Sequence, residues 1–142
     1  MTSLIRNAIG ERERTFLTLT ENDIIQLFDR WNKSLQTGNP DKVADNYAED
    51  AILLPTRSNI PRTNRQEICN YFEHFLKQKP VAIVKMRVIR LSRYSAMDSG
   101  LYTFTLSQNG KLIEIPARYT FEYELINGQW LIVGHHSSIM PE

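Results

Sequence analysis

After Pro80 the spacing of apolar residues changes from three-and-four to two, and it does not change back. A helix must repeat near 3.6 and a half-buried strand at two, so this one switch divides the chain into a helical half and a sheet half. In the first half, Ile24, Leu27, Phe28, Trp31 and Leu35 form one helical stripe, opened by Thr20 as N-cap and ended by Gly38-Asn39-Pro40. Pro40 and Asp41 open a short second helix with Val43, Ala44 and Tyr47 on its apolar face. Ala51–Leu54 reads as a strand closed by Pro55, and a loop runs on to Arg62. Asn64 and Glu67 stand at capping-box spacing before a third helix with the stripe Ile68, Tyr71, Phe72, Phe75 and Leu76. In the second half, runs alternating about Val84–Val88, Tyr102–Leu106, Ala117–Leu125 and Trp130–His136 are separated by Met97–Gly100, Asn109-Gly110 and Asn127-Gly128. Asn-Gly between alternating runs is a strong hairpin signal, so the half is expected to be an antiparallel meander of four strands. The expectation is an α+β fold in which single-striped helices cover one face of a curved sheet, giving a cone with a mouth.

Composition narrows the function classes. A chain of 142 residues is one domain's worth, so 20–142 is expected to be a single domain and 1–19 an N-terminal arm. Seventeen Lys and Arg against sixteen Asp and Glu give +1, which argues against a nucleic-acid partner. The basic residues Lys85, Arg87, Arg90 and Arg93 are explained by cross-strand pairing with Glu114, Glu122 and Glu124. The lone Cys69 cannot close an internal disulfide, and Met1–Asn7 is too polar for a secretory signal, which together point to the cytoplasm. No run approaches a membrane span, so no membrane partner is expected. There is no G-x-G-x-x-G or Walker loop, and no cofactor is expected.

Several segments carry a resemblance. Leu35-x-x-Gly38-Asn39-Pro40-Asp41 leads into Tyr47-Ala48-Glu49-Asp50-Ala51, then Leu53-Leu54-Pro55-Thr56 and Tyr71-Phe72-x-x-Phe75-Leu76. Ala117-Arg118-Tyr119-Thr120-Phe121 and the closing Gly134-His135-His136-Ser137-Ser138-Ile139-Met140-Pro141-Glu142 complete the set. Over about 20–142 the chain resembles the nuclear-transport-factor-2-like (SnoaL-like) superfamily, and within it stand-alone relatives of the association (hub) domain of calcium/calmodulin-dependent protein kinase II. The resemblance implies a cone-shaped fold, a homodimer or a larger ring, and a polar interior cavity that holds a small carboxylate. It also places Trp31, Tyr47 and Asp50 near the pocket. The chain departs from the hub where Ser137 stands in place of an arginine after the histidine pair.

The candidate chemistry has alternatives at each position. Arg118 reads either as a surface cation beside Glu122 or as an inward guanidinium gripping a carboxylate. Arg62 reads as a loop cation or as a charge at the mouth. Adjacent strand residues point to opposite faces, so His135 and His136 cannot share a metal ion, and no metal site is expected. Parity groups His135 with Leu131, Val133 and Ser137, and His136 with Trp130 and Ile132; the resemblance implies that the first set faces the cavity. Both faces of this strand are apolar, so the Trp130, Ile132 and His136 face is expected to lie under another subunit. The leading expectation is a self-associating, ligand-binding module. The alternative is an isomerase, dehydratase or cyclase with His135 or Asp50 as base.

Overall fold

The computed structural model describes residues 19–142, so all but the last residue of the expected arm lies outside the described residues. Helix α1 (Glu21–Leu35) starts at a capping box: the Asp23 N–H donates to Thr20 Oγ1 at 3.2 Å and the Thr20 N–H to Asp23 Oδ2 at 2.8 Å. Its stripe Ile24, Phe28, Trp31 and Leu35 is buried. Helix α2 (Pro40–Ala44) is capped by Asn39. It ends before Tyr47, which opens strand β1 (Tyr47–Leu54) instead of completing the helical face expected of it. The buried Asn46 accounts for the break, donating to Ser34 Oγ and the Val43 carbonyl, both at 3.0 Å, and accepting from Arg30 Nε at 2.9 Å.

Helix α3 (Arg65–Phe75) is followed by β2 (Val81–Leu91), β3 (Ser95–Gln108), β4 (Lys111–Ile126) and β5 (Gln129–Ile139). The sheet has five strands in the order β1-β5-β4-β3-β2, antiparallel except for β1 against β5. The protein is therefore α+β, with helices over one face of a mostly antiparallel sheet. That face carries the core, built largely of rings: Phe28, Trp31, Phe72, Tyr102, Phe104, Tyr119 and Phe121 are all buried. Among the described residues no helix is long and apolar enough to cross a membrane.

Two bulges change what the sequence pattern implied. Met97–Gly100 is not a break: β3 runs through it, and the chain turns at Ser92–Tyr94. A register shift between Val84 and Met86 turns Arg87 to the inner face. There Asp98, fully buried, accepts from Arg87 Nη2 at 2.9 Å and Nε at 3.3 Å, and from the Tyr119 hydroxyl at 2.8 Å. Arg87 is thus paired with Asp98, not with the glutamates expected. The second shift lies opposite Glu122 and Tyr123, so Ile132 and His135 are both buried despite opposite parity. Ile132 belongs to the core, at 1% exposure, and is not offered to a partner as expected. Trp130 is half-buried and packs against the same core.

Candidate functional site

His135 is a buried polar group in the cone, placed by β5 beneath α1 and beside β1. It is 4% exposed and stacks on Phe121 at 4.0 Å between ring centroids. Trp31 Nε1–H donates to the Tyr47 hydroxyl at 3.0 Å, and that hydroxyl lies 2.8 Å from His135 Nδ1. Tyr102 gives its proton to Ser137, so it can only accept from His135 Nε2–H, and Nδ1 of the neutral ring then accepts from the Tyr47 hydroxyl. The imidazole proton therefore sits on Nε2, 3.3 Å from the Tyr102 hydroxyl, which donates onward to Ser137 Oγ at 2.6 Å. Ser137 is bonded in turn to Thr56.

Burial dominates the electrostatics here. It lowers the His135 pKa to about 3, helped by neighbouring His136, so the ring is neutral. Burial also raises the Tyr47 and Tyr102 hydroxyls, which stay protonated. The cavity beside His135, walled by Trp31, Phe72, Phe75, Tyr102 and Phe104, holds about 10 Å³, room for about one water. Its lining mixes these rings with Thr56, His135 and Ser137 and includes no Lys or Arg.

The structure thus gathers Trp31, Tyr47, His135 and Ser137 from the expected set, and adds Tyr102 and Thr56. It does not gather the others. Arg118 is exposed, between Ala117 at 0% and Tyr119 at 3%, whose inward side chains force it to the outer face. The inward reading of Arg118 is therefore overturned. Asp50 is exposed on β1 and lies outside the cavity, so it is no base for chemistry there. His136 is exposed. Among the described residues no three His, Cys, Asp or Glu side chains are grouped to hold a metal ion.

Positive charge converges at the mouth. A pocket of about 250 Å³ is lined by Arg57, Ser58, Arg62, Tyr71, His74, Phe75 and Gln78. Arg62 is set by a backbone bridge to Leu53, with N···O distances of 2.8 and 2.9 Å. Its guanidinium lies 5.4 Å from the Tyr71 ring centre, and its Nη1 donates to Ser58 Oγ at 2.9 Å. Burial pushes the Tyr71 hydroxyl up to about 12, while the Arg57 and Arg62 charges oppose that rise. Both arginines therefore act on one point. Tyr71 and Phe75 wall both this pocket and the inner cavity. Arg57 carried no signal in the sequence, because a loop cation looks the same whether or not its loop folds over a cavity.

Comparison with known proteins places this geometry. The family model for the calcium/calmodulin dependent protein kinase II association domain matches residues 20–141. A protein from Xanthomonas campestris, crystallised as a candidate association domain of the same kind, is 55% identical. That match covers 84% of this chain and 87% of the other, with a TM-score of 0.82. Fold alone is shared with an NTF2-like protein with a cystatin-like fold from Novosphingobium aromaticivorans, at 10% identity and TM-score 0.72, over 99% and 90% of the two chains. The same holds for a candidate dehydratase of the NTF2-like family from Streptomyces avermitilis, at 8% identity and TM-score 0.73, over 84% and 95%. Comparison with curated proteins returns no match.

Proposed function

This chain belongs to the calcium/calmodulin dependent protein kinase II association domain family, and we propose that it works as a self-associating, hub-like module whose mouth pocket takes a small carboxylate. The observation that carries the assembly is the outer face of the sheet. Val81, Ile83, Met86 and Val88 are 37%, 52%, 51% and 45% exposed on β2. Their cross-strand partners Leu101 and Thr103 lie on the same face, opposite the aromatic core. Covering each half-exposed apolar side chain contributes about 1 kcal/mol, and a row of them on a sheet is the usual mark of an interface. A second copy is the economical cover, since an isologous contact places the same row on both sides. The exposed His136, in register with Thr120, Ser99 and Val88, lies on the same face.

The ligand half of the proposal rests on Arg57 and Arg62. Two guanidinium groups over an aromatic wall suit a carboxylate, with Arg62 already oriented by Ser58 and Tyr71. The enzyme alternative has less support, because the His135 lone pair is occupied by the Tyr47 proton and its cavity has no room for a substrate.

Light scattering across micromolar concentrations tests the assembly: the mass should be a multiple of 16.6 kDa, and a persistent 16.6 kDa species would reject it. For the ligand, acetate should raise the melting temperature of wild type and of Arg118→Ala, but not of Arg57→Gln. Equal shifts in all three would refute the role of the mouth arginines.

A further inference from the structure

Among the side chains lining the arginine mouth, one belongs to the type that gains and loses a proton near neutral pH: His74. Tyr71, His74, Phe75 and Gln78 line that pocket at the i, i+3, i+4 and i+7 positions of one face of α3 and the turn after it. The histidine ring is oriented by its own helix, with Nδ1 3.0 Å from the Asn70 carbonyl one turn back. A carbonyl oxygen only accepts, so Nδ1 carries a proton whatever the charge of the ring. Nε2 is therefore the atom that titrates. In the neutral ring it offers a lone pair, and in the imidazolium an N–H. It makes no hydrogen bond among the described residues.

The charges around His74 are all of one sign. Arg57 and Arg62 line the pocket from the loop after β1, and no carboxylate side chain lines it. Tyr71, on His74's own helix, holds its proton up to about 12. Glu73 and Lys77 flank His74 in sequence without lining the pocket. The α2 carboxylates Asp41 and Asp45 lie against Cys69 and Arg65, toward the start of α3, and Glu49 and Asp50 of β1 are outside the pocket. No side chain of the pocket supplies a counter-ion to a protonated His74, whereas an anion held by the arginines does.

We propose that His74 is a third ligand contact of the mouth, and that its protonation makes the affinity for a carboxylate rise as pH falls. The inference rests on the carboxylate reading of this pocket and adds how the site is regulated. With Nε2 unprotonated, its lone pair meets the carboxylate oxygens acceptor to acceptor and forms no bond. Protonation turns the same atom into a charged donor beside two guanidinium groups, and the carboxylate gains another charge-assisted hydrogen bond. His74 is exposed, so such a bond contributes about fivefold in affinity. Linkage is reciprocal: the bound carboxylate holds the His74 proton to a pH about 0.7 units higher than in its absence.

The test is acetate binding to the ¹⁵N-labelled full chain at about pH 5.5 and about pH 8.5, against chloride at equal ionic strength, with the His74 ring nitrogens followed through the same range. Binding is read rather than melting temperature, because His135 lowers stability over part of this range. Acetate should bind about fivefold more tightly at the lower pH, and the His74 titration should move up by about 0.7 units in acetate and not in chloride. His74→Gln should still bind acetate, with one affinity at both pH values, and His136→Gln should keep the wild-type dependence. Arg57→Gln should bind acetate at neither. Equal wild-type affinities at the two pH values, or a dependence that survives His74→Gln, would overturn the inference and leave the carboxylate reading of the mouth standing. Failure of wild type to bind acetate at either pH would overturn both.

Discussion

His135 shows how one buried residue ties stability to pH. Its folded pKa, about 3, lies below the unfolded value of about 6.5. Between those values the unfolded chain binds a proton that the folded chain does not. Stability is therefore intact above about pH 6.5 and falls as pH drops toward 3, by at most about 1.4 kcal/mol per pH unit from this group. Urea denaturation from pH 7 to pH 4 should show that slope, and His135→Gln should flatten it; parallel profiles would contradict the assignment. Tyr102→Phe removes the group between His135 Nε2–H and Ser137 Oγ, stranding a buried donor. It should cost about 1–3 kcal/mol of unfolding free energy in the same assay at pH 7. Part of this cluster was legible in the sequence, since Trp31 stands on a helical stripe and the resemblance implied that Tyr47, His135 and Ser137 lie at the cavity. Tyr102 and Thr56 were not, because their roles depend on contacts to Ser137 across 35 and 81 residues of chain. Both readings of Arg118 stood open because alternation gives the relative faces of neighbours and leaves open which face is the inner one; its exposure selects the surface reading.

At the level of elements, the two bulges decide the difference between expectation and structure. Helices α1 and α3 and both Asn-Gly hairpins follow local rules, so caps and turn residues reveal them. A bulge inserts one residue and reverses parity beyond it, and it leaves no local mark in sequence. That is why Ile132 was grouped with His136, and why Met97–Gly100 resembled a turn. Gly100 is in fact where β3 makes room for the β2 bulge: a Cβ there would stand 2.0 Å from the Met86 carbonyl oxygen. Gly100→Ala is expected to cost about 3 kcal/mol or more, because backbone, not a side chain, must give way. Differential scanning calorimetry would read this as a clear fall in melting temperature; an unchanged transition would mean the bulge is not held as described. The Arg87–Asp98 pair should fall with it, since the bulge alone turns Arg87 inward.

Over the whole molecule, helices and rings close one face of the sheet, and the other face keeps a row of apolar side chains with a mixed charge pattern beside it. Net charge near zero does nothing to keep two such faces apart. The sequence pointed to the apolar last strand as the face for self-association, whereas the exposed apolar row lies on β2, where Ile83 and Val88 stand half exposed, and the proposed contact is therefore on β2. Replacing both by lysine places like charges opposite each other across a two-fold contact without touching the core. The most direct measurement is sedimentation equilibrium of wild type and of the Ile83→Lys, Val88→Lys variant, with circular dichroism confirming that the variant is folded. Wild type should sediment at a multiple of 16.6 kDa and the folded variant at 16.6 kDa; equal masses for the two would contradict assembly through this face.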